Sequence, residues 1–136
     1  MASKYNAKTV ELDGYIFDSK LEARYYELLK EKQKNDEILF FRVQPIYQLQ
    51  ETFKKYNKTF RRIDYIADFE VHHLDGSIEV IDVKGFRTQT FNIKRKLFEH
   101  KYPHKLTLIT YSKKWGGWIE LEELERKRRQ SRKCKR

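Results

Sequence analysis

Residues 65–85 read Tyr65-Ile-Ala-Asp-Phe-Glu-Val-His-His-Leu-Asp-Gly-Ser-Ile-Glu-Val-Ile-Asp-Val-Lys-Gly85. Two runs rich in β-branched and aromatic residues flank Asp75-Gly76, a pair suited to tight chain reversal. The stretch predicts two antiparallel strands, the second ended by Gly85. Asp68 and Asp82 stand 14 positions apart, one on each strand. Residues i and i+2 of a strand share a face, so Asp82 and Lys84 point together. Two carboxylates and an ammonium on adjacent strands have the chemistry to hold a divalent metal ion and orient a water beside it.

Upstream, Thr9-Val-Glu-Leu and Tyr15-Ile-Phe flank Asp13-Gly14, the signal for a small hairpin with a type I′ turn. Ser19-x-x-Glu22 has the form of a capping box. Leu21, Tyr25, Leu28 and Leu29 follow helical spacing, so a helix is predicted to reach Lys34 and to end at Asn35-Asp36. Strands are predicted over Leu39–Gln50, where Pro45 implies an edge or bulge, over Phe60–His73 and over Ser77–Val83. Beyond Gly85 a helix runs from about Thr90 to Lys101, apolar at Phe91, Leu97 and Phe98 and stopped by Pro103. Leu106–Tyr111 reads as a buried strand, Trp115-Gly-Gly-Trp118 as a turn, and Ile119–Arg129 as a last, charged helix. This order predicts an α/β domain over residues 1–125, with a mixed central sheet, helices on its faces and an N-terminal hairpin.

A chain of 136 residues suits one compact domain. With 39% apolar and 37% charged residues the core must be small, and 9 Tyr, 9 Phe and 2 Trp are there to fill it. The net charge of +10 is uneven: residues 126–136 hold eight Lys/Arg and no acid, which leaves +2 for the rest. Such a basic tail points to nucleic acid as partner. It has no apolar face to insert into a membrane. Cys134 is the single cysteine, so no intrachain disulfide and no cysteine-based zinc site can form. Met1–Glu11 holds no apolar run, and no stretch reaches the length of a membrane span, so a cytoplasmic location is expected.

Asp68 sits in an otherwise apolar run, so if buried it must be paired, hydrogen-bonded or metal-bound. Arg61, Arg62 and Lys84 are candidate ion-pair partners; Asp82 has the same alternative. A hard cation takes a few carboxylates, a carbonyl and waters, and Asp68, Asp82 and the Val83 carbonyl meet that need. Lys84 would hold the attacking water and balance charge in the transition state. Glu22 has two readings: it caps its own helix, or it reaches the metal directly or through water. Asp64 and Glu70 share strand parity with Asp68 and could line the same groove or bind nothing, whereas Glu79 faces away from Asp82. His72, His73, His100 and His104 show no common metal spacing, and His72-His73 reads as surface. Thr88, Gln89, Thr90, Asn92, Lys94 and Lys96 at the start of the second helix suit phosphate contacts, Lys94 above all.

Taken together, Glu22, Gln44-Pro45, Tyr65-x-Ala-Asp68-Phe and Asp82-x-Lys84-Gly85 resemble the PD-(D/E)XK nuclease superfamily. The likeness is nearest to a phage-encoded family of poorly characterised domains sharing the Phe17–Ala23 start, Thr88, Phe91, Lys94 and Tyr102-Pro103. It covers roughly Lys4 to Tyr111. Archaeal-type Holliday junction resolvases and the cutting subunit of Tn7-type transposases are related members. The resemblance implies a restriction-endonuclease-like core of helix, three strands, helix and strand. It implies Mg²⁺ or Mn²⁺ held by Asp68 and Asp82, Lys84 as a catalytic residue, Glu22 as the first-helix acid and Gln44 approaching the site. Ala67 stands where the superfamily usually has proline. The expected activity is metal-dependent DNA endonuclease, by analogy on branched recombination or replication intermediates, which favours a homodimer. The host cytoplasm is the location if the chain is phage-encoded. Arg126, Arg128 and Arg129 of the tail would add DNA contacts on charge alone. The rivals are a non-catalytic DNA-binding accessory protein on the same fold and, more distantly, an RNA-binding module that stacks bases on aromatics.

Overall fold

In the computed structural model, which describes residues 8–134, β1 (Val10–Leu12) and β2 (Tyr15–Phe17) form the expected hairpin. Asp13 (φ 53°) and Gly14 (φ 84°) both adopt the left-handed backbone that a type I′ turn requires. Helix α1 (Lys20–Lys34) starts at Ser19, whose Oγ accepts the Glu22 N–H at 3.1 Å. Its inner face carries Ala23, Tyr25, Tyr26 and Leu29, and Asp36 (φ 57°) reverses the chain beyond its end.

The next two predicted strands are one long antiparallel ribbon, broken into pieces. One arm is β3 (Phe40–Val43), β4 (Ile46–Gln50) and β5 (Phe53–Lys55); the other is β6 (Lys58–Phe60), β7 (Ile63–Ile66) and β8 (Phe69–His72). The tip is a second tight turn, Tyr56 (φ 51°) and Asn57 (φ 60°), in a stretch where the sequence predicts no strand.

Midway, the ribbon changes faces. Phe41, Val43, Phe69 and Val71 pack beneath α1, yet Tyr47, Leu49, Tyr65 and Ala67 pack in a second cluster on the opposite side of the sheet. All are odd-numbered, so a straight strand would put each arm's set on one face. Register is kept, with Val43 opposite Phe69 and Ile46 opposite Ile66. No residue slips at this point, where the backbone itself turns at Gln44 (φ 52°); the register shifts by one only farther out, between Gln48 and Gln50. Two hydrogen bonds carry the ribbon across the break, Gln44 N–H to the Asp68 carbonyl at 2.8 Å and Ala67 N–H to the Pro45 carbonyl at 3.1 Å. Asp68 therefore lies at a bend between strands, not inside one.

β9 (Ile78–Val83) follows, then α2 (Gln89–Lys101), β10 (Lys105–Ser112), a 3₁₀ turn, β11 (Gly117–Glu120) and α3 (Leu121–Cys134). The central sheet has the order β11-β10-β9-β8-β3, parallel between β9 and β10 and antiparallel elsewhere. α2 makes the crossover that a parallel pair needs. The mixed sheet, its helices and the hairpin are as expected. The last strand is an addition: Gly117–Glu120 pairs with β10, so the final helix starts at Leu121 and runs on through the basic tail as far as that is described. Residues 135–136 of the tail lie outside the described residues. Leu97, expected to be core, is 37% exposed, while Phe91 and Phe98 are buried. No helix among the described residues is long and apolar enough to cross a membrane.

Candidate active site

Three elements meet at the same edge of the molecule. β9 leaves the sheet at Val83, the second arm of the ribbon bends at Asp68, and α1 begins its first turn at Glu22. The N-terminus of α2 forms the remaining wall. Between them lies an open cleft of about 330 Å³ that exposes Glu22, Asp68, Asp82, Val83, Lys84, Thr88 and Lys94 together, with Asp18, Asp64, Tyr65, Ile66, Thr90 and Phe91 around them.

Strand alternation places Asp82. Ile81 and Val83 pack under α1, so Asp82 faces the α2 side, as Val80 does. The Tyr65 hydroxyl donates to Asp82 Oδ2 at 2.5 Å, and Lys84 Nζ lies 3.5 Å from the same oxygen. The Lys84 ammonium also sits over the Phe91 ring, 4.3 Å from its centroid, so an α2 side chain holds its position. Asp68 Oδ2 accepts the Val83 N–H at 2.7 Å, which ties the ribbon bend to the end of β9. Glu22 is 9% exposed; its Oε2 accepts the Asp18 N–H at 3.3 Å while its own N–H is capped by Ser19. Glu22 thus takes part in the helix cap and also lines the cleft.

These acids press on one another. Burial, then the charge of Asp82, then Glu22, push the Asp68 carboxyl up to about 9. Burial, followed by the charges of Asp18 and Asp82, raises Glu22. The Tyr65 phenol is raised well beyond its usual range by burial and by Asp82, so it remains a hydrogen-bond donor. Two ammoniums, Lys84 and Lys94, face five carboxyl groups in the cleft, and such a surplus of hard oxygen donors suits Mg²⁺ or Mn²⁺. Among the described residues no three His, Cys, Asp or Glu side chains are already gathered into a ligating group. The donor set fits such an ion in chemistry and charge.

Not every expected residue comes to the cleft. Gln44 is exposed and its Nε2 donates to the Ile16 carbonyl at 2.7 Å, clipping the N-terminal hairpin to the ribbon. Glu70 does not line the cleft: it accepts from Tyr47 at 2.9 Å and meets His72 at 3.2 Å and Arg42 at 3.5 Å. Burial opposes ionisation there, but bonds from His72 and Tyr47 hold the carboxyl below its ordinary value. Parity counting failed for Glu70 because the bend at Asp68 intervenes. His72 and His73 are partly buried and paired with Glu70 and Glu79, not free at the surface. Lys96 is exposed outside the cleft lining, and Arg126 and Arg129 line a different concavity, with Glu120, Glu122 and Glu123. Arg128 is exposed on α3.

Tyr65 was missed as a site residue. A buried tyrosine hydroxyl needs a partner, and its place three residues before Asp68 was the available signal. Tyr65→Phe is expected to leave the fold intact but cost about 1–3 kcal/mol, because a buried carboxylate loses its donor. Chemical denaturation of the two proteins measures this; equal midpoints would mean that Asp82 is satisfied without Tyr65.

No curated protein matches the chain. The family comparison runs from the N-terminal hairpin through every element that contributes to the cleft and stops short of α3. Over residues 2–117 the sequence matches the model of the family described as "Protein of unknown function (DUF1064)", and the chain belongs to that family.

Proposed function

We propose that the chain is a metal-dependent DNA endonuclease. The observation that carries the reading is the meeting of Asp68, Asp82 and Glu22, from three separate elements, in one open cleft beside Lys84. An acidic cluster repels phosphate, so a protein that only bound DNA would gain nothing from it. Asp68, Asp82, the Val83 carbonyl and Glu22, directly or through water, would hold Mg²⁺ or Mn²⁺. Such an ion polarises a scissile phosphate and lowers the pKa of a bound water. Lys84, fixed between Asp82 and Phe91, holds the attacking water and offsets charge gathering on the phosphoryl oxygens. Thr88, Thr90 and the first turn of α2 present donors to the neighbouring phosphate, with Lys94 beside them.

The likeness to PD-(D/E)XK nucleases supports the same reading, with a restriction-endonuclease-like core, a 5′-phosphate and 3′-hydroxyl product, branched DNA as substrate and a homodimer making paired cuts. The test is cleavage of labelled linear duplex, flap, fork and four-way junction DNA, with Mg²⁺, Mn²⁺ or EDTA, by the wild type and by Asp82→Asn. Metal-dependent cutting that the variant lacks is the expected result. Binding without cutting under every condition would replace the enzyme with an accessory DNA-binding protein.

A further inference from the structure

The tip of the ribbon belongs to neither core cluster. Every residue from Glu51 to Ile63 is exposed. Residues 51–62 hold five cations, Lys54, Lys55, Lys58, Arg61 and Arg62, against one acid, Glu51. That net +4 exceeds the +2 of residues 1–125 as a whole, so the rest of the domain is slightly acidic and the positive charge is concentrated here.

Its arrangement is unfavourable for a protein standing alone. Lys55 and Lys58 are direct cross-strand partners, and like charges placed opposite each other destabilise a ladder. Phe53 and Phe60, the next pair on the same face, stack with centroids 4.8 Å apart and planes 8° apart, yet remain 41% and 37% exposed. Tyr56 at the turn is 89% exposed. Only Arg62 among the five cations is paired with an acid within the described residues, to Asp64 at 2.9 Å. A polyanion would relieve the lysine pair.

The location is as informative as the charge. Asp64, Tyr65 and Ile66, on the same arm, form part of the cleft wall. From Ile66 to Asn57 is nine residues, an extended reach of up to about 30 Å at roughly 3.3 Å per residue. B-form DNA has a major groove about 12 Å wide that admits a two-stranded ribbon. The deep, narrow major groove of A-form RNA does not admit one.

We propose that the β5–β6 hairpin is a DNA-binding arm that lies in the major groove of duplex DNA beside the cleft. Lys54, Lys55 and Lys58 contact the bordering phosphates, and the exposed aromatic pair faces the groove. The choice of DNA rests on the endonuclease reading; the arm's role in binding is tested separately from cutting.

The experiment is fluorescence anisotropy of a labelled 24-base-pair duplex with the full chain in EDTA, over a salt series. It compares wild type with the triple variant Lys54→Ala, Lys55→Ala, Lys58→Ala, whose fold is checked by circular dichroism. Expected is an affinity loss on the order of tenfold or more at about 0.1 M salt, and a log K against log salt slope shallower by about 2.7, at roughly 0.9 per lost phosphate contact. Guanine N7 positions, which lie in the major groove, should be protected from methylation by the wild type alone. Unchanged affinity and slope in a folded variant would overturn the arm while leaving the nuclease intact. Equal competition by the matching RNA duplex would overturn the groove assignment. Arm-dependent binding by a protein that cuts nothing with Mg²⁺ or Mn²⁺ would support the arm and overturn the nuclease.

Discussion

Asp68→Asn is expected to make the metal-free protein more stable while abolishing its cleavage of DNA. Asn keeps the shape and can still accept the Val83 N–H that Asp68 Oδ2 now takes. What it removes is an acid whose ionisation burial, Asp82 and Glu22 all oppose. In the folded protein Asp68 holds its proton up to about 9, whereas an unfolded aspartate lets go near 3.8. Between those values the native state binds more protons than the unfolded one, so wild-type stability falls as pH rises. The variant's advantage should therefore be absent below about pH 4 and grow toward pH 9. At neutral pH it should be on the order of a few kcal/mol, since keeping a proton that an unfolded aspartate has released costs about 1.4 kcal/mol for each pH interval of one. Thermal melts in EDTA across that pH range measure it. Adding Mg²⁺ should then stabilise the wild type and not the variant, since only the former keeps the site. A variant less stable than wild type in EDTA at pH 8 would show that the cluster is not under electrostatic load.

Phe98→Ala is expected to cost about 3–5 kcal/mol, the usual range for a buried phenylalanine, and to lower the melting temperature by more than about 10 °C. Phe98 is fully buried and makes ring contacts with Tyr47, Tyr65 and Tyr102 at 5.1 to 5.7 Å. Its loss leaves a cavity beneath the ring whose hydroxyl holds Asp82. Well below the melting point, cleavage should fall along with stability. Leu97→Ala, one position away but 37% exposed, should change the midpoint by less than a third as much. Equal losses in the two variants would mean that α2 packs in another rotation.

What could be read from the sequence divides by how local its cause is. Asp82 and Lys84 sharing a face follows from strand period alone and holds here. The first hairpin and the start of α1 at Ser19 follow from turn and cap chemistry within four residues, while α2, expected from about Thr90, begins at Gln89 with Thr88 as its cap. Pro45 marked an irregularity where the ribbon breaks, but the change of face was not legible, because Gln44 takes a left-handed backbone without being Gly, Asn or Asp. With it went the parity of Glu70 and the side chain of Gln44 itself. The turn at Tyr56-Asn57 could have been read, since Asn is among the residues that tolerate that conformation. β11 could not, because four residues with a leading glycine resemble the end of a turn. For the cleft, Glu22, Asp68, Asp82 and Lys84 were readable, as were Thr88, Thr90 and Lys94 at the start of α2, whereas Tyr65 and Asp18 were placed by packing between distant elements.

The ribbon's construction also makes it a ruler. Its inner half is locked into two core clusters, while its outer half ends in a two-residue turn attached to nothing else in the described fold. Lengthening each arm by two residues would keep every side chain on its present face and carry the tip outward by about 7 Å. Lengthening by one would turn the lysines and the stacked phenylalanines over together. Only even steps preserve the tool, so natural length variation in this hairpin should come in multiples of two residues per arm, with Asp68 and everything inward of it unmoved.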